Sequence, residues 1–190
     1  MTRPVAVIIP FYQKNAGILP KAIESVLRQK NSHLLEALVV DDCSPVSAET
    51  ELLPYLDRYR EAIRIDPDWA DAHNGLAVTF ARQGRADLAV EQFREVTRID
   101  PDSTIGYFNL ATALADLDRD VEAAAALREV IRIYPDHYNA HYNLGEMFRL
   151  EGKFDESAKQ FREYVRLAPN TPQTQRNLRR ARQFIEQYSD

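Results

Sequence analysis

One eight-residue pattern recurs four times in this sequence, and it limits the fold more than any other feature. The segments REAIRIDP, REVTRIDP, REVIRIYP and REYVRLAP end at residues 67, 101, 135 and 169, so their closing prolines lie 34 residues apart. A repeat of this length predicts small structural units that bury their apolar faces against one another, because a single unit cannot bury both of its faces. We therefore expect a solenoid from about residue 54 to residue 188.

Apolar residues return at helical spacing within each repeat. Leu76 and Phe80 are four residues apart, and Ala89, Phe93 and Val96 form a second set after a short polar segment. Residues three and four apart lie on the same face of an α-helix. The pattern therefore predicts two amphipathic helices in each repeat.

Pro-Asp pairs mark the junctions between repeats, at residues 67–68, 101–102 and 135–136. Proline disfavours helical backbone in the residue before it, so each pair should end a helix. A carboxylate can accept hydrogen bonds from the unpaired N–H groups at a helix start. We expect each of these aspartates to cap the helix that follows.

The period and the apolar positions resemble the tetratricopeptide repeat (TPR), a pair of antiparallel helices. With each proline as the end of a repeat, the family's packing positions can be read in three successive repeats. They are His73, Leu76, Ala77, Phe80, Ala89, Phe93 and Val96; then Tyr107, Leu110, Ala111, Leu114, Ala123, Leu127 and Val130; then His141, Leu144, Gly145, Phe148, Ser157, Phe161 and Tyr164. The resemblance implies a superhelix whose first helices line a concave groove.

Both ends of the repeat array depart from a full repeat. Residues 54–67 match only a second helix, and Pro54 suits its first position because the missing N–H would be unpaired there anyway. After the last repeat one more helix follows, in which Leu178, Ala181 and Phe184 should face inward. Its outer face should stay hydrated through Arg176, Arg179, Arg180 and Arg182, as a terminal cap requires. We predict half a repeat, three full repeats and a cap helix in a domain of residues 54–190.

Residues 1–53 follow a different pattern. VAVIIPFY and EALVVDD are apolar and rich in β-branched residues, which predicts strands, whereas GILPKAIESVLRQ between them has helical spacing. A strand, a helix and a strand in this order predict two parallel strands joined by a right-handed crossover. The complete prediction is a mainly α protein in which a short βαβ segment precedes the solenoid.

The βαβ segment resembles the N-terminal part of family 2 glycosyltransferases, whose fold is Rossmann-like. The matching pieces are VIIPFYQ, AIESVLRQ and VVDDCSP, within the first fifty or so residues. The resemblance implies that Pro10, Tyr12, Asp41 and Asp42 would contact uridine or a related base. Sugar transfer also needs a later Asp-x-Asp strand end for a divalent cation and a carboxylate base, and the sequence offers a place for neither. DLD at residues 116–118 falls in a loop between two repeat helices, so we interpret it as a chance match.

Several interpretations of this segment stay open. It is either a truncated, non-catalytic remnant, from a natural rearrangement or an engineered fusion, or a nucleotide-sugar or transferase site completed by oligomerisation or a partner chain. A third interpretation makes its helix, residues 18–30, a structural cap for the solenoid. Two strands alone are marginal in water and leave open edges, so we expect docking on the half repeat, homodimerisation through those edges, or disorder of residues 1–50.

A repeated asparagine predicts a binding function for the groove. Asn109, Asn143 and Asn177 lie 34 residues apart on three successive first helices, and Gly75 stands at the matching place in the first repeat. A side-chain amide can pair with the C=O and N–H of an extended peptide, and asparagines in this register bind peptide backbone in some TPR proteins. The neighbouring residues Phe108 and Tyr142 should face the groove and add apolar contact. The alternative is that these asparagines bind only water or local backbone.

Composition and charge exclude several functions. The net charge of −5 lacks the basic surplus that binding to nucleic acid or an anionic membrane requires. A single cysteine, Cys43, cannot form an intrachain disulfide, and the short run VAVII is no membrane span, so we expect a cytoplasmic protein. His137 and His141 have the spacing of a helical metal pair, but the nearby sequence offers no third ligand, so we expect no metal site.

The sequence thus predicts an interaction scaffold rather than an enzyme. We expect an extended peptide or a partner helix in the groove, no catalytic residue and no cofactor. The rival prediction is a protein that binds a uridine diphosphate-type nucleotide, as a family 2-like glycosyltransferase would.

Overall fold

The computed structural model describes residues 8–11, 38–41 and 53–188, with side chains from residue 56 to residue 188. The chain divides into two compact units, Met1–Arg58 and Tyr59–Asp190. Residues 53–188 form eight helices: α1 (Leu53–Ile65), α2 (Ala70–Arg82), α3 (Ala86–Ile99), α4 (Thr104–Ala115), α5 (Asp120–Ile133), α6 (Tyr138–Leu150), α7 (Phe154–Leu167) and α8 (Gln175–Tyr188). The predicted helical solenoid is confirmed, with α2/α3, α4/α5 and α6/α7 as helix pairs. No helix in these ranges is both long and apolar enough to cross a membrane.

Two short strands lie in the first unit. β1 (Ile8–Phe11) and β2 (Leu38–Asp41) pair in parallel, with Phe11 opposite Asp41. The helix predicted at residues 18–30 lies outside the described residues, and so do the residues that follow β2 up to residue 52. The Rossmann-like βαβ unit therefore stays a prediction.

The core of the solenoid repeats with the sequence period. Phe93, Leu127 and Phe161 occupy one position of α3, α5 and α7, and each is almost completely buried. The first helices bring small residues to the crossing points of the helix pairs. A Cβ atom on Gly145 would lie 2.8 Å from Phe161 Cε1, so α6 approaches α7 this closely only because residue 145 has no side chain. The apolar residues that recur in the sequence are therefore those buried where the helices pack together.

The turn from first to second helix needs a left-handed residue in each repeat. Gly84 and Gly152 have φ angles of +71° and +74°, and Asp118 between them has a φ of 56°. Glycine adopts this region without steric cost, and aspartate is among the few other residues that tolerate it. Asp118 is part of the DLD sequence, which lies in the turn between α4 and α5 as predicted.

The junction aspartates do not cap helices, which corrects the sequence-based prediction. The N-cap positions of α2, α4 and α6 are Trp69, Ser103 and His137, one residue beyond each aspartate. Ser103 Oγ accepts a hydrogen bond from the Gly106 N–H at 3.2 Å, and His137 Nδ1 accepts one from the Ala140 N–H at 3.1 Å. The junction is therefore one residue longer than the Pro-Asp pattern suggested.

The junction aspartates instead form ion pairs within their repeats, and we call this series the arginine ladder. Its rungs join Arg98 to Asp68 at 2.8 Å, Arg132 to Asp102 at 3.5 Å and Arg166 to Asp136 at 3.6 Å. Each arginine also contacts a glutamate one turn earlier on its own helix: Glu95, Glu129 and Glu163. Each rung thus links the loop before the first helix of a repeat to the second helix of the same repeat.

Helix α8 has the inward apolar face that the sequence predicted. Leu178 and Ala181 are buried, and Phe184 packs against Phe161 with 5.2 Å between ring centroids. The outer side carries exposed arginines at positions 176, 179, 180 and 182. An apolar inner face and a charged outer face are what the last helix of a stack requires.

Candidate functional site

The first helices α2, α4, α6 and α8 carry three sets of 34-spaced positions that we call the first-helix face. The sets are Asn74, Phe108, Tyr142 and Arg176; Gly75, Asn109, Asn143 and Asn177; and Val78, Thr112, Glu146 and Arg180. The 34-residue period places members of one set at equivalent points of successive helices. Polar, charged and aromatic residues make up most of these sets, and Gly75 and Val78 are the exceptions.

A cleft opens in the first-helix face between α2 and α4. Its volume is about 330 Å³, and Val78, Ala81 and Ala113 give it apolar walls. Phe93 of α3 also lines it, and its polar lining residues are Arg82, Asn109, Thr112 and Asp116. An apolar cleft with a few polar groups that fix orientation is typical of a binding site.

The predicted asparagines are half-buried along this face, and the sequence-based interpretation missed one partner. Asn109 Nδ2 donates a hydrogen bond to Asn74 Oδ1 at 3.3 Å, which joins α4 to α2. Asn74 stands one position earlier in its repeat than the asparagines of the series, so the 34-residue spacing alone did not reveal it. The side chains of Asn143 and Asn177 have no protein hydrogen-bond partner among residues 56–188. Their amides are therefore available to a ligand or to water.

The glycine that interrupts the asparagine series has a steric cause. A Cβ atom on Gly75 would lie 2.2 Å from Tyr59 Cε1, far inside contact distance. Tyr59 is almost completely buried and occupies the position that Phe93, Leu127 and Phe161 hold in later repeats. An asparagine at position 75 would therefore displace the tyrosine of α1, and the series can begin only at Asn109.

Tyr142 does not project from the face as predicted, because its ring is in the core. It is only 9% exposed, and its centroid lies 4.9 Å from Tyr164 and 5.6 Å from Phe161. Tyr164 stands where the two earlier repeats have valine, and the larger ring supplies an aromatic surface for Tyr142. The Tyr164 hydroxyl is itself buried without a hydrogen-bond partner in the described part of the chain.

Phe108 is half-buried and packs at a repeat junction. Its ring centroid lies 4.9 Å from that of His137, the N-cap residue of α6. Tyr134 meets the same imidazole edge-on at 6.0 Å. Part of the Phe108 ring is therefore committed to protein contacts rather than to a ligand.

A charged cluster lies on α6 and α8, and sequence reasoning had not assigned it to the site. The Glu146 carboxylate pairs with Arg149 at 2.9 Å and with Arg180, one repeat further on, at 3.5 Å. Burial raises the pKa of the Tyr142 phenol and the Glu146 charge raises that pKa further, whereas Arg180, Arg149 and Arg176 lower it. The charges of Glu146 and of these three arginines thus act on the same phenol.

Of the two histidines considered as metal ligands, His137 caps α6 and His141 is held by two hydrogen-bond contacts. His141 Nδ1 lies 2.8 Å from Gln160 Oε1, and its Nε2 lies 2.9 Å from the Pro135 carbonyl oxygen. His73 repeats the arrangement with Gln92 and Pro67, at 2.9 and 3.0 Å. Within the described ranges, no group of three or more histidine, cysteine, aspartate or glutamate side chains could hold a metal ion.

The nucleotide contacts inferred for the N-terminal segment stay predictions. Pro10 lies in β1 opposite Val40, and Asp41 is the last residue of β2. Tyr12 and Asp42 lie outside the described residues.

Solved structures with the same fold include two crystal structures of MamA. They match with TM-scores of 0.61 and 0.60 at 18% identity, covering 69% and 70% of this chain and 82% and 74% of theirs. A third, titled as YrrB, a TPR protein with an unusual peptide-binding site, matches with a TM-score of 0.61 at 21% identity, covering 73% of this chain and 72% of that one. At these identities the likeness shows the fold alone, and no curated protein matches the chain.

The family assignment comes from the repeats themselves. The family model described as Tetratricopeptide repeat matches residues 56–104 and 108–172, which together are more than half of the chain. Those residues span α2 to α7 with the 34-residue period and the paired helices described above. The chain belongs to the tetratricopeptide repeat family.

Proposed function

We propose that the protein is an interaction scaffold whose first-helix face binds an extended peptide segment of a partner protein. The observation that carries the proposal is the row of half-buried asparagine amides beside an apolar cleft of about 330 Å³. The likeness to YrrB, a solved TPR protein described as having an unusual peptide-binding site, supports it.

The amides favour an extended peptide over a partner helix. A helix satisfies its own backbone N–H and C=O groups, so it offers little to a row of amides, whereas an extended segment leaves both groups unpaired. Asn109 already uses one donor on Asn74 and is held in place by it, while Asn143 and Asn177 keep all their donors and acceptors. The expected mode is backbone pairing to the asparagines, with one apolar side chain in the cleft.

Paired substitutions on α6 and α8 test the proposal. An array of ten-residue peptides of unbiased sequence would first identify binders, whose affinities are then measured by calorimetry. Asn143→Ala with Asn177→Ala should weaken every binder by about tenfold, because each lost hydrogen bond is worth about 0.5–1.5 kcal/mol.

The matched control is Asn170→Ala, which changes an exposed asparagine in the loop before α8, outside the first-helix face. It should leave all affinities unchanged. The proposal fails if no peptide on the array binds, or if the double variant binds them as tightly as the parent does.

A second candidate function is binding of a uridine diphosphate-type nucleotide, with the transferase site completed by oligomerisation or a partner chain. It is supported by the parallel pairing of β1 and β2, since ligands of parallel sheets bind beyond the carboxyl ends of the strands. Uridine diphosphate with a divalent cation should then raise the melting temperature of the parent, and Asp41→Asn with Asp42→Asn should abolish the rise. An unchanged melting temperature in the parent would overturn this candidate.

A further inference from the structure

We infer that the peptide held by the first-helix face carries a carboxylate, which Arg176 and Arg180 of α8 receive, and an apolar side chain, which enters the cleft between α2 and α4. This inference rests on the proposed function and adds the chemistry of the partner to it. It follows from how the first-helix face changes along the solenoid.

The first-helix face passes from apolar to cationic while the core beneath it repeats. One set of equivalent positions reads Val78, Thr112, Glu146 and Arg180 from α2 to α8. The set three residues further along reads Ala81, Ala115, Arg149 and Gln183. One end of the face is therefore suited to an apolar side chain, and the other to an anion.

The cationic end holds more positive than negative charge. One carboxylate, Glu146, is shared by Arg149 and Arg180, and Arg176 has no carboxylate partner within residues 56–188. A guanidinium group has five N–H donors, so one shared carboxylate leaves several of them unused. Glu146 orients Arg149 and Arg180 without neutralising the cluster, which prepares it for a second carboxylate.

The arginines of the ladder show the opposite arrangement. Arg98, Arg132 and Arg166 each contact two carboxylates, one on their own helix and one in the loop before the first helix of the same repeat. Those arginines are neutralised by the protein itself. Elsewhere Glu122 is also shared by two arginines, Arg94 and Arg119, but that group lies on the second-helix side, so the surplus on α8 is distinctive for the first-helix face.

Two further arginines on α8 point to a different cleft and provide an internal comparison. Arg179 and Arg182 line a cleft of about 300 Å³ together with Asn170, Gln175 and Leu178. The 34-residue period makes them equivalent to Ala77 and Phe80, which are buried in the first repeat. They belong to the end surface of the solenoid, so they serve as controls for charge without belonging to the first-helix face.

The separation of the two ends sets the length of the peptide. Neighbouring first helices lie side by side, close enough for Asn109 to bond Asn74 and for Arg180 to pair with Glu146. At the usual distance of about 8–10 Å between adjacent helices, two such spacings separate the cleft of α2 and α4 from the cluster of α6 and α8. An extended chain rises about 3.3 Å per residue, so roughly 16–20 Å corresponds to about five or six residues. The apolar residue and the carboxylate of the peptide should be separated by about that number.

Designed peptides test the inference directly. The probes are fluorescein-labelled peptides with a glycine-serine background, one leucine, and a carboxylate two to eight residues away. In one arm the carboxylate is an internal glutamate in a C-terminally amidated peptide, and in the other it is a free C-terminus, so the arms separate the two sources. Fluorescence anisotropy should show tightest binding at a separation of about five or six residues. Glutamine or amidation in place of the carboxylate should weaken that binding at least tenfold.

Arginine variants of the full chain complete the test. Arg176→Gln with Arg180→Gln should remove the preference for the carboxylate and the salt dependence of binding. Arg179→Gln with Arg182→Gln makes the same change in charge on the same helix. This control variant should keep the preference for the carboxylate and the salt dependence of binding. Circular dichroism melting of each variant confirms that the fold is intact.

The outcomes separate the two proposals. Peptides that bind equally well with glutamate and glutamine, or a preference that the control variant abolishes as fully as the Arg176/Arg180 variant does, would overturn this inference and leave the proposed function standing. Failure of all peptides, both in this set and in the unbiased array, would overturn the proposed function and this inference with it.

Discussion

The core and arginine ladder of the solenoid repeat from one unit to the next, whereas two of the three sets of positions on the first-helix face change along it, and only the asparagine set recurs from Asn109 to Asn177. Phe93, Leu127 and Phe161 fill one core position in three repeats, and the rungs of the ladder recur at the same spacing. On the first-helix face, equivalent positions change from Val78 to Arg180. Positions that stack the repeats must meet the same neighbour each time, but positions that meet a ligand face different parts of it. The change of side chains along the face is therefore consistent with the proposal that a ligand binds there.

Substituting a repeated core residue should give the largest effect. Phe161→Ala removes a ring that is 1% exposed and contacts Tyr142 and Phe184, so we expect a loss of about 3–5 kcal/mol in the free energy of unfolding. Urea denaturation followed by circular dichroism measures it. Phe154→Ala, at a ring that is 40% exposed, is the matched control and should cost clearly less. Equal losses would contradict the assignment of Phe161 to the core.

The helix caps should give an intermediate effect that distinguishes two equivalent positions. His137→Ala and Ser103→Ala each remove a side-chain acceptor at a helix start, so each should cost about 1 kcal/mol, and His137→Asn should restore most of the loss. Thermal melting of the three variants measures these differences.

Only the histidine cap should depend on pH. Burial lowers the pKa of His137 and the nearby His141 lowers it further, so the folded state favours the neutral imidazole whose Nδ1 accepts the Ala140 N–H. The unfolded chain then takes up its proton first, at a pH of about 6.5. The stabilisation from His137 is therefore fully present above pH 6.5 or so and is lost as the pH falls through the lower folded pKa. A Ser103→Ala penalty that varied with pH in the same way would contradict this account.

The arginine ladder should give the smallest effect although it is as regular as the core. Arg132 and its partners Asp102 and Glu129 are exposed, and solvent screens exposed ion pairs strongly. Arg132→Gln should therefore leave the unfolding midpoint within experimental error of the parent, in low and in moderate salt. A clearly lower unfolding midpoint would contradict this expectation. It would mean that a contact contributes strongly to stability simply because it recurs in every repeat.

Much of the fold followed from the sequence because the repeat unit is local. The period, the paired helices, the turn at DLD and the inward face of α8 all depend on residues within one or two helices. The predictions for Tyr142 and for the junction aspartates were wrong because the contacts of these residues are not local in the sequence. Tyr164 is 22 residues beyond Tyr142, and Arg98 is 30 residues beyond Asp68, so spacing within one helix carried no information about either contact.

The sequence by itself determined the architecture, the family and the row of asparagines, since helical spacing and a constant period fix which residues share a face. Only the tertiary structure decided how those residues are used. Asn109 donates a hydrogen bond to Asn74, and the ring of Tyr59 leaves no room for an asparagine at position 75. The ring of Tyr142 is buried in the core. The tertiary structure also brought Glu146 of α6 beside Arg180 of α8. These outcomes depend on distances between helices and on the size of the side chains between them, and a one-dimensional pattern contains neither.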